Sequence, residues 1–213
     1  IFITLLFVAG LSYKIVAGVL ALGVPTSIIG IILILKHALP LNEYQYKRIY
    51  SWLQPSKYAD DAYQQQNSIM AIGSGQLWGK GLNNSSIASM KNGNFISEPQ
   101  TDFIFTVVGE ELGFIGCVIV IVLLLLIVFE CILIAKNAKD LGGRLICCGM
   151  AALIGFQSFI NICVTTGLMP NTGLPLPFVS YGLTSLMSLF IGLGLVLNVG
   201  LQARKYHGLG DIE

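Results

Sequence analysis

The sequence predicts an all-α, polytopic membrane protein, part of a helical bundle that carries one long extracytoplasmic loop. Hydrophobic residues make up 54% of the chain and charged residues only 11%, whereas soluble domains carry about a quarter charged residues. In addition, the stretch between Arg144 and Arg204 contains no Asp, Glu, Lys, Arg or His. These observations together lead us to expect a single membrane domain over residues 1–213.

Four apolar runs are long enough to cross the roughly 30 Å hydrocarbon core as helices. They are residues 15–35, 103–129, 145–168 and 183–203. Pro25, inside the first run, is tolerated in a bilayer and is expected to kink its helix. Residues 1–10 look like the end of a helix that began earlier. Since the chain opens on Ile1 without a methionine or a basic leader, we expect a fragment of a longer protein whose first helices are missing.

The distribution of basic residues predicts the orientation in the membrane. Three basic residues lie in or beside the short connection after the second predicted span, and the tail, residues 204–213, begins with two more. The positive-inside rule places both segments in the cytoplasm. Residues 36–102 and the loop 170–182 then lie outside. The longer of these also carries lysines and arginines, but loops above about 60 residues largely escape the rule.

Charge and cysteine usage exclude several classes of function. The formal net charge is +1, which argues against a nucleic acid or an acidic surface as partner. His37 and His207 have no nearby cluster of carboxylates or cysteines, so we expect neither to bind a metal. The five cysteines form no C-x-x-C pair, and we interpret them as small buried apolar side chains; they are Cys117, Cys131, Cys147, Cys148 and Cys163.

The predicted external loop has two features of its own. Residues 44–53 mix aromatic, basic and aliphatic side chains, which is typical of an amphipathic helix lying at the membrane interface. The glycine-rich run 73–81 superficially resembles a nucleotide-binding loop, but no Ser or Thr follows Lys80 and no strand precedes the run. We therefore interpret its glycines as backbone turns, with a close approach of backbone to a ligand left open.

Three carboxylates lie at the start of the second span: Asp102, Glu110 and Glu111. Carboxylates at a membrane edge usually face a cavity or a partner. A structural alternative is that Ser97 caps a helix with Pro99 in its first turn, where the helix dipole would stabilise Asp102. On a helix through both residues, Asp102 and Glu110 would project within about 80° of each other and line one cavity. Glu111 would pair with another helix.

Gln157, Asn161 and Thr165 recur every four residues and form a polar stripe along the third span. Hydrogen bonding between helices is the favoured interpretation of such a stripe, and a substrate path is the alternative. The loop 169–182 is uncharged and rich in proline and glycine. It fits either a re-entrant element beside the external face or a simple tight connection.

The glycine, acidic and proline-rich motifs occur in a characteristic order. The matching residues are Gly73-Ser74-Gly75, Gly79-Lys80-Gly81-Leu82, Glu98, Thr101-Asp102-Phe103-Ile104-Phe105, Gly109-Glu110-Glu111-Leu112-Gly113 and the run from Gly173 to Gly182. Together they resemble the SEDS family (shape, elongation, division and sporulation proteins; RodA, FtsW and SpoVE), with the external loop most like RodA. Two positions depart from the family pattern, because Pro99 follows Glu98 instead of preceding it and Leu183 follows Gly182 in place of glycine.

The resemblance implies an inverting peptidoglycan glycosyltransferase in the bacterial inner membrane, with a cytoplasmic C-terminus, that polymerises lipid II. It implies that Asp102 is the general base for the acceptor hydroxyl. Positive charge for the departing pyrophosphate would come from loop lysines such as Lys80, from an arginine in the missing half, or from a divalent cation, Mg or Mn. A class B penicillin-binding protein, a transpeptidase, is the implied partner.

Further residues of these motifs are predicted to bind substrate or shape the site: Glu98, Thr101, Lys80, Glu110, Pro177, Ser180 and Tyr181. Two other functional classes compete with the polymerase. A flippase or exporter would also use intramembrane carboxylates and broken helices. A non-catalytic scaffold would only recruit a synthase, and it would tolerate Asp102→Asn but not changes on packing faces such as Asn161→Leu.

Overall fold

The computed structural model describes residues 1–35, 43–82 and 101–210, and within them it contains seven helices and no strand. The helices are α1 (Phe2–Val8), α2 (Tyr13–Leu35), α3 (Glu43–Leu53), α4 (Ala59–Ser74), α5 (Ile104–Lys136), α6 (Leu141–Thr165) and α7 (Leu183–Gly210). The predicted amphipathic helix at residues 44–53 coincides with α3, whereas α4 was not predicted as a helix.

In the described part of the chain, three helices are long and apolar enough to cross a membrane. These are α5, α6 and the first 20 residues of α7, Leu183–Gln202. They confirm the predicted fold class, an all-helical polytopic membrane protein. The helix α2 covers the first predicted span and holds Pro25 in its interior. The membrane topology of the loops stays a prediction.

The three long helices pack together through small and medium-sized side chains. The helix α5 lies along α6, and α7 packs against both. One apolar cluster lies near the start of α5 and the other near its end. The buried members of the first are Phe105, Cys117, Leu124, Ile154, Leu176 and Leu189. Those of the second are Cys131, Ala135, Cys147, Ala151 and Val196. All five cysteines are free thiols and four of them are buried, as their apolar surroundings predicted.

The two short helices α3 and α4 cover the end of the bundle where α5 begins. The helix α4 packs against α5 and α6, and α3 packs against α4. Polar side chains join them to the backbone at the end of α6. Trp52 donates its indole N–H to the Gly167 carbonyl over 2.9 Å, and the Gln65 amide donates to the Val164 and Met169 carbonyls over 2.8 and 2.7 Å. These bonds fix α3 and α4 to the end of α6.

Candidate active site

Asp102 lies in the turn that leads into α5, and its side chain is half-buried. The helix has Phe103 at its N-cap position, without a capping hydrogen bond from that side chain. Phe103 is itself buried, together with Val164 of α6. Since α5 begins at Ile104, the predicted 80° relation between Asp102 and Glu110, which required one helix through both, does not apply. Ser97 and Pro99, the proposed helix cap, lie outside the described residues.

Two side chains from other elements hold the backbone carbonyls on either side of the Asp102 Cα atom. The Ser180 hydroxyl donates to the Thr101 carbonyl over 2.7 Å, while the backbone N–H of Leu176 donates to the same Ser180 oxygen over 2.6 Å. Asn161 Nδ2 donates to the Asp102 carbonyl over 2.7 Å. The segment that carries Asp102 is thus tied both to α6 and to the loop 170–182.

The loop 170–182 is also fixed along its length by α6. Asn161 Nδ2 donates to the Leu174 carbonyl over 2.7 Å, and Gln157 Nε2 donates to the Pro175 carbonyl over 2.9 Å. Gly173, at φ +69°, lies beside the carboxylate, since a Cβ there would be in ordinary van der Waals contact with Asp102 Oδ2 at 3.4 Å. The loop is therefore part of the surroundings of Asp102.

The polar stripe on α6 is a hydrogen-bonding element, as the favoured interpretation predicted, but its partners differ from those expected. Gln157 and Asn161 bond to loop and turn carbonyls instead of to a neighbouring helix. Thr165 donates to carbonyls of its own helix, and its backbone oxygen accepts from the Ser68 hydroxyl of α4 over 2.8 Å. The stripe thus positions irregular backbone, which has no helix to satisfy its polar groups.

A second constellation, the glycine clasp, joins the segment 76–81 to a break in α5 at Gly113. Gly113 has φ +68° and ψ −164°, which interrupts the helix and frees backbone groups on both sides of the break. The segment supplies their partners. The Lys80 and Gly81 N–H groups donate to the Glu110 and Glu111 carbonyls over 2.9 and 3.1 Å. In return, the Phe114 and Ile115 N–H groups donate to carbonyls of the segment.

Only glycine allows the backbones to meet in the clasp. A Cβ at Gly79 would overlap the Glu111 carbonyl, and one at Gly75 would overlap the Gly109 carbonyl. A Cβ at Gly113 would lie 2.7 Å from the Leu77 oxygen. Within the glycine-rich run 73–81, the predicted backbone role agrees with this geometry. The close approach that Gly75 and Gly79 allow is to the backbone of the protein's own helix α5.

An ion pair accompanies the clasp. Lys80 Nζ lies 2.9 Å from Glu110 Oε1, with the Glu110 side chain 3% exposed and the Lys80 side chain 29% exposed. A buried carboxylate is costly unless it is paired and hydrogen-bonded. The ammonium of Lys80 therefore balances the charge of Glu110 at the point where the loop joins the helix.

Comparison with known proteins identifies the family. The family model for FtsW, RodA and SpoVE, described as cell cycle proteins, matches residues 1–205. The chain belongs to this family. Its fold agrees with a solved structure described as a peptidoglycan synthase complex. One chain of that structure superposes on this chain with a TM-score of 0.68 and 30% sequence identity. The match covers 94% of this chain and 52% of that one.

Curated relatives of the family come from several bacteria. Stage V sporulation protein E of Bacillus subtilis is 41% identical over 162 residues, which is 76% of this chain and 43% of that protein. The probable peptidoglycan glycosyltransferase FtsW of Geobacter metallireducens is 34% identical, over 95% of this chain and 51% of its own length. The protein of the same name from Haemophilus ducreyi is 37% identical, over 94% of this chain and 49% of its own length. The chain thus spans about half the length of the curated relatives it matches. The closer likeness to RodA stays a prediction.

The family's motif residues fall into two groups in this chain. Asp102, Thr101 and Ser180 lie together at one end of the bundle, with Pro177 buried in the same loop. Lys80 and Glu110 pair with each other in the clasp. Tyr181 is 77% exposed beside Ser180. Glu98 lies outside the described residues.

Several residues that hold the site together were not predicted from sequence. Arg48 of α3 donates to the Asn171 carbonyl over 3.0 Å, and the Ser68 and Thr106 hydroxyls form a buried hydrogen bond with each other. Their only sequence signal is polar character within helices that are otherwise apolar or amphipathic. Across the residues that the structure describes, no three His, Cys, Asp or Glu side chains cluster as metal ligands would.

Proposed function

We propose that this chain is part of a peptidoglycan glycosyltransferase that polymerises lipid II, with Asp102 as its general base. The observation that carries the proposal is the placement of Asp102. Its carboxylate precedes α5 in a turn whose carbonyls are held by Ser180 and Asn161, in a family whose relatives include probable peptidoglycan glycosyltransferases. A carboxylate on irregular but firmly held backbone is suited to proton transfer.

Glycan growth requires the hydroxyl of an acceptor sugar to attack the anomeric carbon of a donor that carries a lipid pyrophosphate. In the proposed mechanism, Asp102 accepts the proton of that hydroxyl as the new glycosidic bond forms. The bond from the anomeric carbon to the pyrophosphate oxygen breaks on the opposite face, and the configuration inverts. General base catalysis of this kind typically contributes about 10²- to 10⁴-fold to the rate.

The departing pyrophosphate also needs compensating positive charge. Lys80 remains the predicted motif residue for this task, but its ammonium already lies 2.9 Å from the Glu110 carboxylate. This pairing supports a site-shaping role for both residues. A divalent cation, Mg or Mn, would supply the charge as a Lewis acid, and the described residues offer it no cluster of carboxylates.

The proposal extends to partners and location. The whole protein lies in the bacterial inner membrane with residues 204–213 in the cytoplasm, as the basic residues around α5, α6 and α7 support. Its partner is a class B penicillin-binding protein that crosslinks the new strands. Support for a synthase partner comes from the structural likeness to a chain of a peptidoglycan synthase complex. The activity serves cell-wall synthesis in cell-shape maintenance or division.

The test uses the full-length protein with its transpeptidase partner and labelled lipid II. We expect Asp102→Asn to lower polymer formation by about 10²-fold or more while its melting temperature stays at the wild-type value. Asp140→Asn is the matched control. Asp140 caps α6 and accepts from the Gly143 N–H over 3.3 Å, and Asn caps a helix about as well as Asp. Equal polymer from wild type and Asp102→Asn would overturn the assignment.

The same preparation separates the competing classes. A flippase would move labelled lipid II across vesicles, and Asp102→Asn would block that movement while polymerisation continued. A scaffold would yield polymer only from its recruited synthase and would tolerate Asp102→Asn. The polymerase proposal predicts loss of polymer in the variant with the partner still bound, which co-purification measures.

A further inference from the structure

Asn161 is the most constrained polar side chain near Asp102. It lies on α6 and is 1% exposed. A primary amide carries two N–H donors, and both are used here on backbone carbonyls. One goes to Asp102 and the other to Leu174, each over 2.7 Å. A single side chain therefore links the turn that bears the carboxylate to the loop 170–182.

The chemistry of the partners determines how the amide is oriented. Both partners are carbonyl oxygens, which only accept, so the nitrogen must face them and the oxygen must point away. Asn161 Oδ1 is buried and has no hydrogen-bond partner among the described residues. Leaving a buried acceptor unsatisfied is unfavourable, and this cost accompanies the two donor bonds that the amide makes to the turn and to the loop.

The two bonds of Asn161 tie the backbone of Asp102 to the backbone of the loop. The residue before Leu174 is Gly173, and a Cβ there would lie in ordinary van der Waals contact with Asp102 Oδ2, at 3.4 Å. Ser180 of the same loop holds the neighbouring Thr101 carbonyl. If the Asn161 donors were removed, one of the two attachments between turn and loop would be lost, and the Asp102 and Leu174 carbonyls would be left without those donors.

We propose that Asn161 is a positioning residue for the glycosyl transfer. It acts through Asp102 and the loop, and it touches no reacting atom. This inference rests on the proposed function, because it assigns Asn161 the task of holding the general base at the correct distance from the loop. Misplacement of a reacting group by about 1 Å can lower a rate by about 10²-fold.

The first variant is Asn161→Leu, which keeps the shape of the side chain and removes both donors. With the full-length protein, its transpeptidase partner and lipid II, we expect kcat to fall by about 10- to 100-fold, with KM for lipid II within about twofold of wild type. The matched control is Ser158→Ala. Ser158 is buried on the same helix, but its hydroxyl donates only to the Ile154 carbonyl of that helix, so kcat should be unchanged.

The second variant is Asn161→Asp, which preserves size and serves if Asn161→Leu fails to fold. Its carboxylate adds a negative charge beside Asp102, and this charge disfavours the ionised form of the base. The acid limb of the kcat–pH profile should therefore move to higher pH. Because the added charge moves that limb by itself, the readout of positioning is kcat on the plateau of the profile, where Asp102 is ionised: a purely structural role for Asn161 would lower the melting temperature and leave the plateau kcat at the wild-type value.

The outcomes distinguish this inference from the proposed function. If Asp102→Asn retains polymerisation, the proposed function itself fails. If Asp102→Asn is inactive while both Asn161 variants keep the wild-type kcat on the plateau of the pH profile, only the positioning role is overturned. A lower kcat in Asn161→Leu, or a lower plateau kcat in Asn161→Asp, at an unchanged melting temperature supports it.

Discussion

The two parts of α5 on either side of Gly113 have different surroundings although they belong to one long helix. In the first part the buried residues include polar Thr106 and charged Glu110. In the second part the buried side chains are small or aliphatic, whereas large side chains such as Phe114 and Phe129 are more than half exposed. The first part is lined by protein, and the second presents an apolar surface suited to lipid.

This difference shows how a membrane helix can hold a polar site. Irregular backbone at membrane depth is tolerated only where protein or water satisfies it. The glycine clasp supplies protein partners at the break in α5, and the polar stripe of α6 supplies them for the loop 170–182. The site is thus built from irregular backbone that the glycine clasp holds on one side and the polar stripe of α6 holds on the other. The part of α5 after Gly113, which presents the apolar surface, contributes packing alone.

The largest effect on this comparison is expected from Gly113→Ala, which breaks the clasp. Alanine is strained at φ +68° and ψ −164°, and its Cβ would lie 2.7 Å from the Leu77 oxygen. We expect a loss of about 2–4 kcal/mol in stability, measured as a lower melting temperature in detergent. Gly194→Ala in α7 is the control, because a Cβ there meets no atom within 4 Å. An unchanged melting temperature for Gly113→Ala would contradict the clasp.

A smaller effect is expected from Lys80→Met, which leaves the Glu110 carboxylate buried without its ammonium. We expect a loss of about 1–3 kcal/mol, because Lys80 is partly exposed and solvent screens part of the interaction. Adding Glu110→Gln should recover much of that loss. A double-mutant cycle measures the coupling, expected at about 1–2 kcal/mol. Additive effects of the two changes would mean that the pair contributes nothing.

The smallest effect is expected on the lipid-facing part. Leu125 is 59% exposed, whereas its neighbour Leu124 is 5% exposed and belongs to the core. Leu125→Ala should change stability by less than about 0.5 kcal/mol, and Leu124→Ala should lower it by about 2 kcal/mol or more. Melting temperatures of the two variants check this order. Equal effects would mean that both faces of this part of α5 are packed by protein.

The fold followed from the sequence more fully than the site did. The apolar runs predicted the long helices, but α5 continues beyond the predicted end at residue 129 to Lys136, because a charge at the edge of a membrane does not end a helix. The start of α6 carries a readable signal, since Asp140 is its N-cap. The helix α4 was missed because the face it buries mixes polar Asn67 and Ser68 with small Ala62 and Ala71, so it lacks the continuous apolar stripe that marks a helix in a sequence.

Within the site, the motif predicted Asp102, and spacing predicted the stripe that contains Asn161. The partners could not be predicted in the same way. Lys80 and Glu110 are 30 residues apart, and the positive φ of Gly113 depends on backbone contributed by a distant segment. Such contacts exist only once tertiary packing brings the segments together.

The most direct test of Asp102 as the general base is the initial rate of lipid II polymerisation measured as a function of pH. The full-length protein is compared with its Asp102→Glu and Asp102→Asn variants, each with the transpeptidase partner. If Asp102 is the base, wild type loses rate on the acid side as this carboxylate is protonated. The Glu variant then retains a carboxylate and a measurable rate with an altered acid limb, and the Asn variant is inactive at every pH. Wild-type rates from Asp102→Asn across the pH range would contradict the central claim.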